Sequence, residues 1–339
     1  MTPRIAVTGA GGVIGARVLQ LLAGSFDEVV DIDDAGAAGG AGATGAAGGA
    51  GGAGGAGARG GDDLFGAEVL VHLRLTSEVT TDRLRRVLAV SDGVKHLTLV
   101  SSAAVYGAWP NHPTPISEDV PVRPNLESSF AVHQADAERT VLDWRDADPA
   151  RTVAILRPAP VVSSGIGGPI GEAMLAAAPI RTGSDDPPVQ FLHLDDLASA
   201  VVLATQRRLS GVFNVAPDGW LSPGELRALL GARPKIRLPL PLTKRLDRYV
   251  ASRVGHSAPE GLLPYTRYSW VVANDRLRAE GWTPRYSSAQ AYVIADVGMP
   301  WDDLNARQRQ HAMLVGAGAA VVAGGWAAAA WLRRSYALR

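Results

Sequence analysis

Cysteine is missing from all 339 residues, so neither a disulfide nor thiolate chemistry is available to the chain. No charge of one sign prevails: 33 Lys and Arg balance 33 Asp and Glu, and nothing attracts the chain electrostatically to nucleic acid. Phenolic groups are scarce over most of the length, with Tyr106 the only tyrosine between residues 1 and 248. Zinc-ligand, P-loop and nucleophile-elbow spacings do not occur, so no metal site is expected. The cysteine-free composition is compatible with a cytoplasmic location.

What is present starts at the N-terminus. "RIAVTGAGGVIGARVLQLL" joins an apolar run at residues 5–7 to a helix from about Val13 through a glycine turn. A signal peptide also opens with a basic residue and a mildly apolar run. Arg17 interrupts this one, and the strand–turn–helix reading is preferred. Gly9, Gly12 and Gly15 have the spacing G-x-x-G-x-x-G, with Val13 and Ile14 between the last two. Glycines there permit a tight turn and bring backbone N–H groups to a pyrophosphate at the helix N-terminus. The next short strand, in "DEVVDID", ends at Asp33, 18 residues past Gly15. A carboxylate at that point would accept bonds from an adenosine ribose 2′-OH and repel a 2′-phosphate. NAD is therefore expected in preference to NADP.

Beyond this unit, residues 35–58 are all Gly and Ala except Thr44. So little side-chain area cannot offset the entropy of ordering, and a flexible loop is expected over 35–61. Strand patterns follow at 67–75, 96–102, 152–158 and 211–216, and helical patterns at 81–90, 129–144 and 221–231. Another helix begins in "FLHLDDLASAVVLATQ", with Asp195 or Asp196 expected at its N-cap. Residues 244–254 form an amphipathic segment, with Leu246, Tyr249, Val250 and Val254 on its apolar side. Strands alternating with helices predict an α/β fold, a parallel sheet covered on both faces.

Residues 312–332 carry no charge and are flanked by Arg307, Arg309 and His311 on one side and by Arg333 and Arg334 on the other. A run of ~20 apolar residues is long enough to span a bilayer core. Eight Ala and four Gly among residues 313–332 weaken it, however. Two readings stand: a C-terminal anchor in the cytoplasmic membrane, which is preferred, or an Ala-rich helix packed on the domain or on a partner.

"TGAGGVIG", "VLVHL", "SSAAVYG", "AILRPAPVV", "FLHLDDLA", "GVFNVA" and "LRAEGWTPRYS" occur in the order seen in extended short-chain dehydrogenases/reductases. Over about residues 3–295 the sequence resembles that group, the NAD-dependent epimerase/dehydratase family. The resemblance implies a Rossmann-type, doubly wound domain over residues 1–300 that binds NAD(P). A smaller substrate-side region, residues 160–190 and 215–295, would close over a nucleotide sugar, sterol or related alcohol, and the apolar helix at 312–332 would follow. Asp62 is implied as an adenine contact. Leu73 and Arg74 would lie at the strand end that passes the cofactor, where the family usually carries small residues. The Gly/Ala tract stands where the family builds a helix and a strand beside the adenine.

The family's reaction uses a Ser, a Tyr and a Lys. The Tyr takes a proton from a substrate hydroxyl, the Lys one helical turn later lowers the Tyr pKa, and the Ser bonds the reacting oxygen. Its Ser matches Ser102. Its Tyr-x-x-x-Lys pair falls on Phe130 and Gln134, ahead of Ala137 and Glu138. Phe has no hydroxyl and Gln no charge. Tyr106 belongs to a segment that packs, His133 reads as a surface residue rather than a substitute base, and Lys235 and Arg237 as solvated loop charges. His193, Asp195 and Asp196 read as strand-to-helix packing. The sequence therefore predicts a catalytically degenerate family member with a cofactor-binding or scaffolding role. The alternative is an active epimerase, dehydratase or alcohol dehydrogenase with a non-standard acid–base group. Expected partners are the dinucleotide, a small-molecule substrate, a membrane through the tail, and a second copy of the chain.

Overall fold

The structure is a computed structural model. It describes residues 4–10, 12–26, 28–32, 66–73, 81–164, 166–178, 180–181, 186–231, 236–237 and 261–295, with 307, 308 and 310. The chain divides into two units, Met1–Asp296 and Val297–Arg339, and the account below concerns the first.

Strand β1 (Ile5–Thr8) leads through a turn into helix α1 (Gly12–Ala23), which returns the chain to β2 (Val29–Asp31). Then come β3 (Val69–Leu73), α2 (Thr81–Ala89), β4 (His96–Val100), α3 (Ser129–Asp146) and β5 (Thr152–Pro158). After them run β6 (Val161–Ser163), β7 (Ile166–Gly167), α4 (Pro169–Ala177), β8 (Ile180–Arg181), β9 (Leu192–His193), α5 (Leu194–Gln206) and β10 (Gly211–Val215). The described chain closes with α6 (Pro223–Leu229), β11 (Ile236–Arg237), α7 (Leu263–Arg267), α8 (Asp275–Ala279) and α9 (Ser288–Ala295).

Six strands form one parallel sheet in the order β2-β1-β3-β4-β5-β10. Strand side chains alternate between its faces, so the apolar runs feed two cores at once. Ile5, Val7, Val71 and Leu156 meet Ile14, Val18 and Leu22 of α1 and Leu197 and Val201 of α5 on one face. Ala6, Leu70, Leu97, Leu99 and Ile155 meet Leu84 and Leu88 of α2 and Val141 and Trp144 of α3 on the other. This is the doubly wound arrangement that the alternating pattern predicted.

The strand order fixes where a ligand can sit. The chain builds outward from β1 to β2, then crosses back to lay β3 on β1's other side. The connections leaving β1 and β3 therefore diverge, opening a crevice beyond their carboxyl ends. The smaller side holds a three-stranded sheet, β7-β6-β9, and a parallel pair, β8 with β11. Gln190 ties this side together. Its amide NH2 donates to the carbonyls of Gly219 (2.9 Å) and Val272 (3.2 Å), and its amide oxygen accepts from the Val272 N–H at 3.0 Å. The Ile116 N–H donates to the Val271 carbonyl (2.8 Å), and the Asn274 amide donates to the Ala216 carbonyl (2.9 Å).

The structure corrects one expected cap. His193, not Asp195 or Asp196, is the N-cap of α5, its Nδ1 accepting from the Asp195 N–H at 3.1 Å. Both carboxylates are already engaged: Asp195 with Arg17 at 2.7 Å, and Asp196 with the Arg285 and Tyr286 N–H groups at 2.8 and 3.0 Å. The loop expected over 35–61, the segment 244–254 and the apolar stretch 312–332 lie outside the described residues. Among the described residues no helix is long and apolar enough to cross a membrane.

A buried polar chain crosses the sheet. His96 Nδ1 meets Thr152 Oγ1 at 2.9 Å, His96 Nε2 meets Thr98 Oγ1 at 3.1 Å, and Thr98 meets Thr205 at 3.2 Å. Burial, with a smaller contribution from the Arg208 charge, lowers the His96 pKa from 6.5 to about 4. Between those values the unfolded chain binds a proton that the native state refuses, so stability falls as pH drops through that window. The loss should reach about 3 kcal/mol. Thermal unfolding followed from pH 7 to pH 4 should show it, and His96→Gln should flatten that part of the profile.

Candidate functional site

The crevice is shaped by two glycines that no larger residue could replace. Gly9 ends β1 with φ +73°, and a Cβ there would stand 1.9 Å from the Leu73 carbonyl oxygen at the end of β3. At Gly15 a Cβ would stand 2.0 Å from the carbonyl oxygen of Ala10. The turn is thus pressed against both the neighbouring strand and the first turn of α1, and its backbone lines the switch point. Gly12 and Val13 open α1. Ile14 is buried, its Cδ1 lying 3.9 Å from the point that a Cβ on Gly168 would occupy. The structure therefore brings Gly9, Gly12, Val13, Ile14, Gly15 and Leu73 together. Asp33, Asp62 and Arg74 lie outside the described residues.

Beside the crevice, β4 runs out into Ser101 and Ser102. The Ser102 hydroxyl accepts from the Ala104 N–H at 3.1 Å and caps a 3-10 turn, Ala103–Tyr106. Helix α3 starts where Ser128 caps it, accepting from the Ala131 N–H at 3.4 Å. Phe130, Gln134 and Glu138 then stand four residues apart on one buried face. Phe130 is 7% exposed and Gln134 1%, so both point inward at the positions expected for them. Phe130 and Ser102, with Ser101, Pro158, Val161 and Ile170, line a recess of about 270 Å³ that opens in part to solvent.

Behind this recess lies a charged group that the sequence reading did not single out. Glu138 holds Arg157 through two hydrogen bonds, Arg Nε to Oε1 at 3.0 Å and a guanidinium NH2 to Oε2 at 2.6 Å. Ser101 donates to the same Oε1 at 2.6 Å. Both charged side chains are almost wholly buried, at 6% and 4% exposure. The guanidinium lies 4.7 Å from the centroid of the Tyr106 ring, whose hydroxyl donates to Asn214 Oδ1 at 2.9 Å. Burial would lower the Arg157 pKa, but the Glu138 carboxylate holds it above the usual value. Burial pushes the Tyr106 phenol up, even against the nearby guanidinium. Tyr106 is a packed hydrogen-bond donor and a poor proton acceptor near neutral pH. A signal for the pair existed: an arginine inside the apolar strand "TVAILRP" requires a buried partner.

The remaining sequence candidates fall elsewhere. His133 is exposed on α3. His193 stacks on Tyr286 with centroids 4.0 Å apart, and burial lowers its pKa. Among the described residues no cluster of three or more His, Asp or Glu could hold a metal ion. A second cleft, about 400 Å³, is lined by Met174, Ala177, Val189, Phe191, Leu226 and Thr266.

Residues 52–216 match the model of the NAD dependent epimerase/dehydratase family. That stretch is a little under half of the chain, and over it the chain resembles this family. The epimerase/dehydratase fold is also that of solved structures with low sequence identity. UDP-glucose 4-epimerase of Thermus thermophilus, in complex with NAD, has a TM-score of 0.56 at 17% identity, covering 86% of this chain and 97% of its own. The dTDP-glucose 4,6-dehydratase of Bacillus anthracis, also with NAD, has 0.55 at 15% identity, covering 86% and 95%. RMD of Pseudomonas aeruginosa, complexed with NADPH, has 0.56 at 18% identity, covering 87% and 98%. Among sequence relatives, Rv0501 of Mycobacterium tuberculosis is 24% identical over 204 residues, 59% of this chain and 53% of the relative. Protein y4nG of Sinorhizobium fredii is 27% identical over 223 residues, 60% and 53%. The chain spans about half the length of the curated relatives it matches.

The buried pair gives a direct stability test. Glu138→Gln leaves Arg157 charged and without its counter-charge, and should cost about 3–5 kcal/mol in denaturant unfolding. A double change to Glu138→Leu with Arg157→Met removes both charges and should cost clearly less than the single one.

Proposed function

We propose that this chain binds a dinucleotide across the ends of β1, β3, β4 and β5 and lacks the family's proton-transfer chemistry. It serves as a cofactor-binding or scaffolding protein. The observation that carries the reading is the buried face of α3. Phe130 borders the recess beside Ser102, and Gln134 stands one turn further along, where the family's Tyr and Lys are expected. A phenyl ring holds no proton to exchange and an uncharged amide tunes no neighbour's pKa. Without the pair, general acid–base assistance of ~10²–10⁴-fold is lost. Tyr106, engaged with Asn214 under Arg157, is no replacement.

The residues present fit the cofactor. The turn at Gly9 and Gly15 forms a cradle that a single Cβ would fill, and it opens a twelve-residue helix whose first N–H groups suit a pyrophosphate. When bound, the dinucleotide supplies hydride-transfer capacity. The chain's own contribution is to hold it, and Ser102 retains a hydroxyl at the recess. The second strand ends at Asp31, two residues before the Asp33 expected there; NAD is still preferred over NADP because Asp33 follows closely in sequence. Binding of NAD by the epimerase and the dehydratase above supports the cofactor class, and their nucleotide-sugar names favour a nucleotide sugar for the second cleft. We assign that cleft to a substrate-side region formed by residues 160–190 and 215–295.

Titration of the full chain with NADH and NADPH, followed by a panel of nucleotide sugars and sterols, tests the reading. NADH should bind more tightly than NADPH, and no substrate should turn over. Turnover would establish the alternative, an enzyme with a non-standard acid–base group. The double change Phe130→Tyr with Gln134→Lys should introduce measurable oxidoreductase or epimerase activity if the rest of the pocket is intact.

A further inference from the structure

We infer that the recess beside Phe130 selects by the charge of the nicotinamide, holding NADH in preference to NAD+, so that occupancy follows the reduction state of the cofactor pool. This inference rests on the dinucleotide reading above. The recess adjoins the first turn of α1, since Ile14 Cδ1 lies 3.9 Å from the point a Gly168 Cβ would occupy and Gly168 lines the recess. Its lining is Ser101, Ser102 and otherwise apolar groups, chiefly Phe130, Pro158, Val161 and Ile170. Among the described residues no ionisable side chain lines it.

Among the described residues, the buried charges joined to this lining through Ser101 are Glu138 and Arg157, and they offer no counter-ion. Glu138 Oε1 already accepts from Ser101 and Arg157, and Oε2 from Arg157, so the pair is neutral as a unit. Oxidised nicotinamide is a pyridinium cation. Reduced nicotinamide is a neutral ring of almost the same size. Burying a cation without a partner is costly, whereas burying the neutral ring costs little.

Calorimetric titration of the full chain with NADH, NAD+ and ADP-ribose reads the effect directly. The Kd for NADH should be lower than that for NAD+ by about fivefold or more, and NAD+ should bind no better than ADP-ribose, which lacks the ring. A smaller ratio, or tighter binding of NAD+, overturns the inference while leaving the dinucleotide reading in place. Binding of neither cofactor overturns both. Pro169→Glu puts a carboxylate at the recess, at the first position of α4, where the helix dipole also suits it. That variant should bring the NADH to NAD+ preference down by about fivefold. An unchanged ratio in a variant that still binds ADP-ribose overturns the charge explanation.

Discussion

The ion pair between Glu138 and Arg157 is the constraint on which the centre of the molecule depends. It joins α3 to β5 and, through Ser101, to the end of β4, all with almost no contact with water. Such a pair adds little net stability, because the desolvation of both charges offsets most of their attraction. Its effect is on specificity: any other placement of α3 leaves two buried charges without partners. The face of α3 that carries Phe130 is therefore fixed toward the recess.

That rigidity separates the scaffold from the reaction. Phe130 and Gln134 occupy one face of a helix that Ser128 caps, beside the turn that Ser102 caps. The recess beside them is lined by Ser101, Ser102 and apolar groups, chiefly Phe130, Pro158, Val161 and Ile170. The glycine turn is set by steric contact, Gly9 against Leu73 and Gly15 against Ala10, whatever the turn holds.

Most of the sheet was legible in the sequence because each strand pattern reports locally on its own burial. The run 152–158 coincides with β5, and the helix expected over 129–144 with α3. The α5 cap was misassigned for a long-range reason: Asp195 and Asp196 look like caps until Arg17, Arg285 and Tyr286 claim them. The Arg157 pairing and the threonine chain around His96 were hidden for the same cause. Their partners lie far along the chain, with Thr98 and Thr205 107 positions apart. Phe130 and Gln134 could be placed only by register with a family motif, since on helix propensity alone they are ordinary residues.

The bonds that converge on residues 271–274 carry a consequence for synthesis. The main sheet is complete in sequence once Val215 has been made. Yet Gln190 and Ile116 wait for Val271 and Val272, and the Ala216 carbonyl for Asn274. A chain emerging from the ribosome therefore carries the buried amide of Gln190 incompletely satisfied until a segment 82 positions later arrives. The smaller side is closed from its far end, like a drawstring pulled last.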